Sequence, residues 1–380
     1  MTVREMLERL IGFETVSRDS NLALIDFVRD YLDGHGVTSH LVHSPEGDKA
    51  NLYATIGPHR PGGVVLSGHT DVVPVDGQPW SCDPFRLTER DGRLLGRGSC
   101  DMKAFIAIAL ARVPQMGNLK APIHLALSYD EEVGCRGAPA MIRELVANVP
   151  RPAAVIVGEP TSMAVVSAHK GITACRTTVT GFETHSSQTQ RGVSAVMTAA
   201  RLITWLEDLA RQRARQGPLA AGFEPPHTTI HVGTVQGGTA VNIISRHCEF
   251  MWDIRNIAAD DPREIVARFQ AYCREEVEPL MRVRSPDTGI ETQVLAQAPA
   301  MADDPHGPAA RLALELTEGE HCRQVAYAAE AGQFQEAGLP TVICGPGSID
   351  QAHQPNEYIE LAQLEAGTRF IDRLIQRLGA

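Results

Sequence analysis

Four short apolar runs punctuate the chain, each bounded by glycine or proline: 64–67 (V-V-L-S), 123–128 (I-H-L-A-L-S), 154–157 (A-V-I-V) and 341–344 (T-V-I-C). Because they do not alternate with polar residues, they predict strands buried on both faces. Between them, 103–112 and 138–147 read as helices. Strands of this kind alternating with helices predict an α/β domain with a mostly parallel sheet flanked by helices.

The middle of the chain has a different pattern. Residues 172–180 alternate like a strand with one exposed face, and 193–214 form a long amphipathic helix. Two further strands at 228–235 and 248–255, a helix at 262–277 and a last strand at 290–295 complete the series. That β-α-β-β-α-β order predicts a ferredoxin-like α+β domain inserted into the first. The expected division is a discontinuous domain of residues 1–171 and 297–380, with 172–296 as the insertion. A chain of 380 residues with 43% hydrophobic content is long enough for two cores, since single cores stop growing at about 250–300 residues.

Charge and cysteine usage narrow the function classes. Lys and Arg total 35 against 46 Asp and Glu, a formal charge of −11, which argues against nucleic acid or an anionic membrane as partner. A cationic small substrate is compatible with it. The eight cysteines are scattered without a C-x-x-C pair and sit mostly in apolar runs, as reduced core residues do. The N-terminus reads as an amphipathic helix and lacks the apolar stretch of a signal peptide. No run approaches the roughly 20 apolar residues of a membrane span. A cytoplasmic protein is expected.

Five motifs carry metal-capable side chains: G-H-T-D-V-V-P (His69, Asp71), G-R-G-S-C-D-M-K (Asp101), D-E-E-V-G (Glu131, Glu132), V-G-E-P (Glu159) and A-H-Q-P-N-E (His353). All but the second follow a predicted strand, and open α/β sheets bind ligands beyond the carboxyl ends of their strands. Imidazole and carboxylate together suit a pair of zinc-like cations. His69 and Asp71, one residue apart, point to the same side of an extended segment, which makes Asp71 the partner for the other ring nitrogen. Asp101 precedes a helix and reads either as its N-cap or as a carboxylate bridging two cations. Glu131 and Glu132 diverge; Glu132 is assigned as ligand and Glu131 as general base. His353 follows a Gly-Pro-Gly loop able to approach a ligand closely. His35, His40, His43 and His59 fall in loop-like sequence, and His185, judged by its surroundings alone, is a surface histidine. G-R-G-S-C-D is not a dinucleotide fingerprint, because no G-x-G-x-x-G follows a strand there.

These motifs, with H-K-G-I, T-V-T-G-F-E-T-H-S-S, G-G-T-A-V-N-I-I, C-E-F-M-W-D-I-R-N-I, E-A-G-Q-F and C-G-P-G-S-I-D-Q-A-H-Q-P-N-E, run through nearly the whole chain. Together they resemble the M20 family of metallopeptidases and deacylases, and within it the branch that deacetylates N2-acetylornithine. The resemblance implies a zinc-exopeptidase-like catalytic domain and an inserted lid or dimerisation domain. It also implies two divalent ions, Zn²⁺ with Co²⁺ or Mn²⁺ as alternatives. His69, Asp101 and Glu159 would hold one; Asp101, Glu132 and His353 would hold the other. Glu131 would be the base toward a metal-bridged water, with Asp71 supporting His69. A homodimer is implied, with His185 offered to the partner's site as an oxyanion donor, and Asn242 and Arg255 as substrate contacts. Arg255 suits a carboxylate by its bidentate fork. Two departures from the family pattern, Ala104 after D-M-K and no proline in S-S-Q-T-Q-R-G after His185, touch no ligand.

The implied reaction is hydrolysis of N2-acetyl-L-ornithine to L-ornithine and acetate, a step of arginine biosynthesis. Glu330, in E-A-G-Q-F, is assigned to face the free amine, with a structural surface role as the alternative. Succinyl-diaminopimelate desuccinylase and a broad N-acyl-amino-acid amidohydrolase are the rival chemistries. A non-catalytic binding protein on the same fold is the rival class, opposed by the presence of every ligand and the base.

Overall fold

The computed structural model describes residues 1–379. The chain forms two compact units, one of residues 1–169, 301–325 and 329 onward, the other of residues 170–300 and 326–328.

The first unit is built on an eight-stranded sheet in the order Ser39–His43, Ala50–Ile56, Ile123–Ser128, Val64–His69, Ala154–Val157, Thr341–Ile343, Val166–His169, Arg323–Val325. The four strands expected from sequence lie side by side at its centre and pair in parallel. Period-two alternation divides each of them between two cores. Val64, Leu66, Ala154 and Ile156 face the helices Val3–Ile11, Leu22–Asp33, Lys103–Ala111, Pro308–Thr317 and Leu361–Gly379. Val65, Val155 and Val157 face Ala138–Asn148 and Ala331–Glu336. Both faces are therefore covered, and each buried Val, Leu or Ile contributes about 1.5–3 kcal/mol. Helix Lys103–Ala111 is buried all round, which explains its small and apolar sequence; its one charge, Lys103, donates to the Phe13 carbonyl at 2.8 Å.

Register decides where the chemistry gathers. His69 pairs with Ser128, Ser67 with Val157, and Ile343 with Val157. Four parallel strands thus end at one level of one edge, and the loops that follow carry the candidate residues.

The second unit contains a four-stranded antiparallel sheet, in the order Thr229–Gly237, His247–Arg255, Ile172–Thr180, Gly289–Ala298. Numbered by position in the chain, its strands run 2-3-1-4, the ferredoxin-like arrangement that the βαββαβ order predicts. Helices Ala195–Gln216 and Pro262–Tyr272 supply Leu202, Leu206 and Phe269 to a core with Cys175, Phe250 and Trp252. The helix expected over 262–277 is interrupted. Its α-helical part ends at Tyr272, a π-helical turn spans Cys273–Val277, and a short helix Glu278–Arg282 follows with Pro279 in its first turn, where proline is tolerated.

Other elements escape the sequence pattern. Ser39–His43 and Ala50–Ile56 are an antiparallel pair at the sheet margin, so His40 and His43 lie on a strand, and His40 stacks on Tyr53 with ring centroids 4.9 Å apart. The eight cysteines are free thiols, with only Cys82 and Cys322 short of full burial. Among the described residues no helix is long and apolar enough to cross a membrane.

Candidate metal centre

Asp101 lies at the centre of the site. Its Oδ1 is 2.9 Å from His69 Nε2, and its Oδ2 is 3.4 Å from His353 Nε2. His69 Nε2 is also 3.9 Å from Glu159 Oε1, and His353 Nε2 is 2.9 Å from Glu132 Oε2. Two histidines and two glutamates drawn from residues 69 to 353 therefore meet around one aspartate. The alternative role of Asp101 as a helix cap is excluded: Met102 is the N-cap of Lys103–Ala111, and no side chain caps that end.

Local structure explains how each group arrives. His69 is the last residue of a central strand and buried. Its Nδ1 meets the Asp71 backbone oxygen at 2.9 Å and the Asp71 carboxylate at 3.6 Å, so Asp71 backs the ring through two groups. The Asp71 carboxylate also accepts from Ser17 Oγ at 2.6 Å and from the backbone N–H groups of Glu131 (3.1 Å) and Glu132 (3.3 Å). The turn into Glu131 needs Asp130 at φ +58°, and Asp130 is held there by Lys49 Nζ at 2.6 Å. His353 adopts φ +63°, which lets its ring leave the loop toward Asp101.

The electrostatics are those of a crowded acid cluster. Burial pushes the Glu131 carboxyl well above its ordinary value, with Glu132 and Asp101 adding repulsion. Burial and Asp101 do the same to Glu159, and raise Glu132 to about 7. Asp101 goes the other way: burial opposes ionisation, but His353 and His69 outweigh it and hold the carboxyl below the usual range. Hydrogen bonds to Asp101 and Glu132 raise His353 to about 10. For His69, burial is outweighed by Asp101 and Asp71, and the ring stays well above its ordinary value.

The donor set fits divalent cations. Ligand atoms of His69, Glu131 and Glu159 lie within 4.8 Å of one another, as do those of His69, Asp101 and Glu132. Glu159 Oε1 is buried without a hydrogen-bond partner in the described structure. An unpartnered buried carboxylate oxygen is costly, and a cation would relieve both that cost and the mutual repulsion. Glu131 belongs to the first of these groups, so the residue expected as base shares the space around His69.

The remaining candidates are distributed unevenly. Glu330 is not a surface residue: it is 1% exposed, at the N-cap of Ala331–Glu336, and accepts from Ser128 Oγ and, at 3.4 Å, from Ser67 Oγ. Burial raises its carboxyl to about 7. His185 and Asn242 lie in the second unit on neighbouring, exposed segments, where Ser186 N–H donates to the Asn242 carbonyl at 3.0 Å. Arg255, half-buried at the end of His247–Arg255, is engaged by Asp253 at 2.9 Å. Ser17, Lys49 and Glu357 escaped the sequence reading. Only Glu357 had a signal there, since it closes the A-H-Q-P-N-E motif.

Residues 65–377 match the model of peptidase family M20/M25/M40. The chain is 35% identical over 373 residues to an acetylornithine deacetylase of Myxococcus xanthus, covering 95% of this chain and 93% of that protein. It is 34% identical to an acetylornithine deacetylase of Pasteurella multocida (strain Pm70), with 98% and 96% covered. Among solved structures it is similar to the M20 family metallo-carboxypeptidase Sso-CP2 from Sulfolobus solfataricus, with a TM-score of 0.79, 16% identity and 99% of each chain covered. The chain belongs to the peptidase family M20 and, as a member of it, is a metal-dependent amidohydrolase.

Proposed function

We propose that this chain hydrolyses the acetyl amide of N2-acetyl-L-ornithine, yielding L-ornithine and acetate for arginine biosynthesis. The observation that carries the chemistry is the placement of His69 and His353 on opposite oxygens of Asp101. The similarity to two acetylornithine deacetylases supports the substrate. His69, Asp101 and Glu159 would hold one cation, and Asp101, Glu132 and His353 the other. When bound, two divalent cations (Zn²⁺ by the donor chemistry) would polarise the acyl oxygen and acidify a water.

The protein's own groups then manage the protons. Glu131, made more basic by burial, takes a proton from the attacking water as its oxygen bonds to the acyl carbon. It returns that proton to the amine nitrogen as the C–N bond breaks, so acetate and a free amine leave. A base tuned upward from the ordinary carboxylate range suits work near neutral pH. His185, Asn242, Arg255 and Glu330 complete the proposal as groups serving the oxyanion, the substrate carboxylate and the free amine. The inserted unit would make a homodimer: Thr229–Gly237 is an edge of its sheet and largely exposed, a margin open to strand pairing. A cytoplasmic location accompanies this biosynthetic role.

The test is release of acetate and ornithine from N2-acetylornithine by chelator-stripped and zinc-restored protein, with succinyl-diaminopimelate and acetylmethionine run beside it. The restored enzyme should prefer acetylornithine by at least tenfold in kcat/KM. A preference for either competitor overturns the assignment.

A further inference from the structure

Glu357 is a wholly buried carboxylate, 1% exposed, that accepts the backbone N–H of Asp101. Four donors from a single loop converge on it. Oε1 accepts the backbone N–H groups of Cys100 at 2.8 Å and Asp101 at 3.0 Å; Oε2 accepts that of Gly98 at 3.1 Å and Arg97 Nη1 at 2.7 Å. The loop that presents the central aspartate is thus wrapped around one side chain.

That side chain stands four residues after His353, and the segment between them is tied to the same network. Arg97 Nη1 reaches the Gln354 carbonyl at 3.4 Å, and Arg97 Nη2 donates to Gln78 Oε1 at 2.6 Å. Gln78 Nε2 donates in turn to the His353 carbonyl at 3.0 Å. His69 needs no such help, because its strand is hydrogen-bonded on both sides. His353 sits on a loop at φ +63° and has no strand to hold it.

We infer that Glu357, with Gln78 and Arg97, is a positioning device that sets His353 against Asp101 and so determines the cation site those two residues share. The inference rests on the dinuclear reading above. Charge-assisted hydrogen bonds to backbone N–H groups are stronger than neutral ones and fix geometry, and loss of groups that orient metal ligands typically costs about 10–100-fold in metal affinity.

The experiment is a zinc titration against a chromophoric chelator, resolving two stepwise dissociation constants for the wild type, Glu357→Gln, Gln78→Ala and the exposed control Glu360→Gln. Melting of the metal-free forms and separate kcat and KM values are recorded beside it. Gln78 is only half-buried, so Gln78→Ala keeps the test open if Glu357→Gln does not fold. The expected result is a loss of about tenfold or more in the affinity of one zinc equivalent, the other unchanged, with kcat falling and KM held. The control should bind as the wild type does. Two undiminished equivalents in the folded variants, whatever their melting temperatures, overturn the inference alone. Fewer than two equivalents in the wild type overturns the dinuclear reading and the inference with it.

Discussion

The carboxylate of Asp71 accepts the backbone N–H of Glu131 at 3.1 Å. One residue therefore backs the His69 ring and also sets the position of the proposed base. Glu131→Gln should keep its metal and lose about 10²–10⁴-fold in kcat. Asp71→Ala should weaken metal binding as well, by about 10–100-fold. Steady-state kinetics with metal analysis on the same samples separates the two; equal metal loss in both variants would count against a base role for Glu131.

Asp101 and His353 should differ in metal stoichiometry. His353→Ala removes a ring from only one pair of contacts and should leave one tightly held zinc per chain. Asp101→Ala removes the group common to both and should leave neither held tightly. Elemental analysis after dialysis against buffered free zinc reads this directly. Loss of both ions in His353→Ala would refute the bridging arrangement.

The metal-free protein should lose stability as pH rises from 5 to 9. Burial lifts Glu330 to about 7, and burial with Asp101 lifts Glu132 equally, from ordinary values of 4.5. Between those limits the folded state binds more protons than the unfolded one. Stability fully present below pH 4.5 is therefore lost as pH climbs through 7, roughly 3 kcal/mol for Glu330, with Glu132 acting in the same direction. His353 adds to the same trend, its contribution being present below 6.5 and lost through about 10. Zinc needs ionised carboxylates and neutral imidazole, so its binding should release protons and flatten the slope. Melting curves against pH, with calorimetry in two buffers, check both; a metal-free melting temperature that rises over this range contradicts the cluster's electrostatics.

Glu330→Gln tests the least accessible of the proposed substrate groups. If its carboxylate reads the free amine, the preference for the ornithine over the norleucine derivative should fall by about tenfold or more, in line with removal of a charged hydrogen bond. An unchanged preference confines Glu330 to its contacts with Ser67 and Ser128.

How much was legible in sequence follows from how local each cause is. The strands Ile123–Ser128 and Ala154–Val157 match their apolar runs to the residue, because burial on both faces leaves a continuous signature. Ser39–His43, with two histidines and a mixed burial pattern, carries no such signature. Its pairing depends on a neighbour further along the chain. The ligand motifs could be found because turn residues surround them. Their meeting depends on strand register, which no single motif contains. Glu357 and Lys49 show the limit: their partners lie 256 and 81 residues away, and nothing nearby in sequence reveals the contact.

The donors around Asp101 come from both sides of the inserted unit, His69 to Glu159 before it and His353 after it. Translation therefore delivers the second imidazole last. A nascent polypeptide emerging from the ribosome holds its acids and one ring without the other, so the cation position that needs His353 is completed only after the whole insertion has been synthesised.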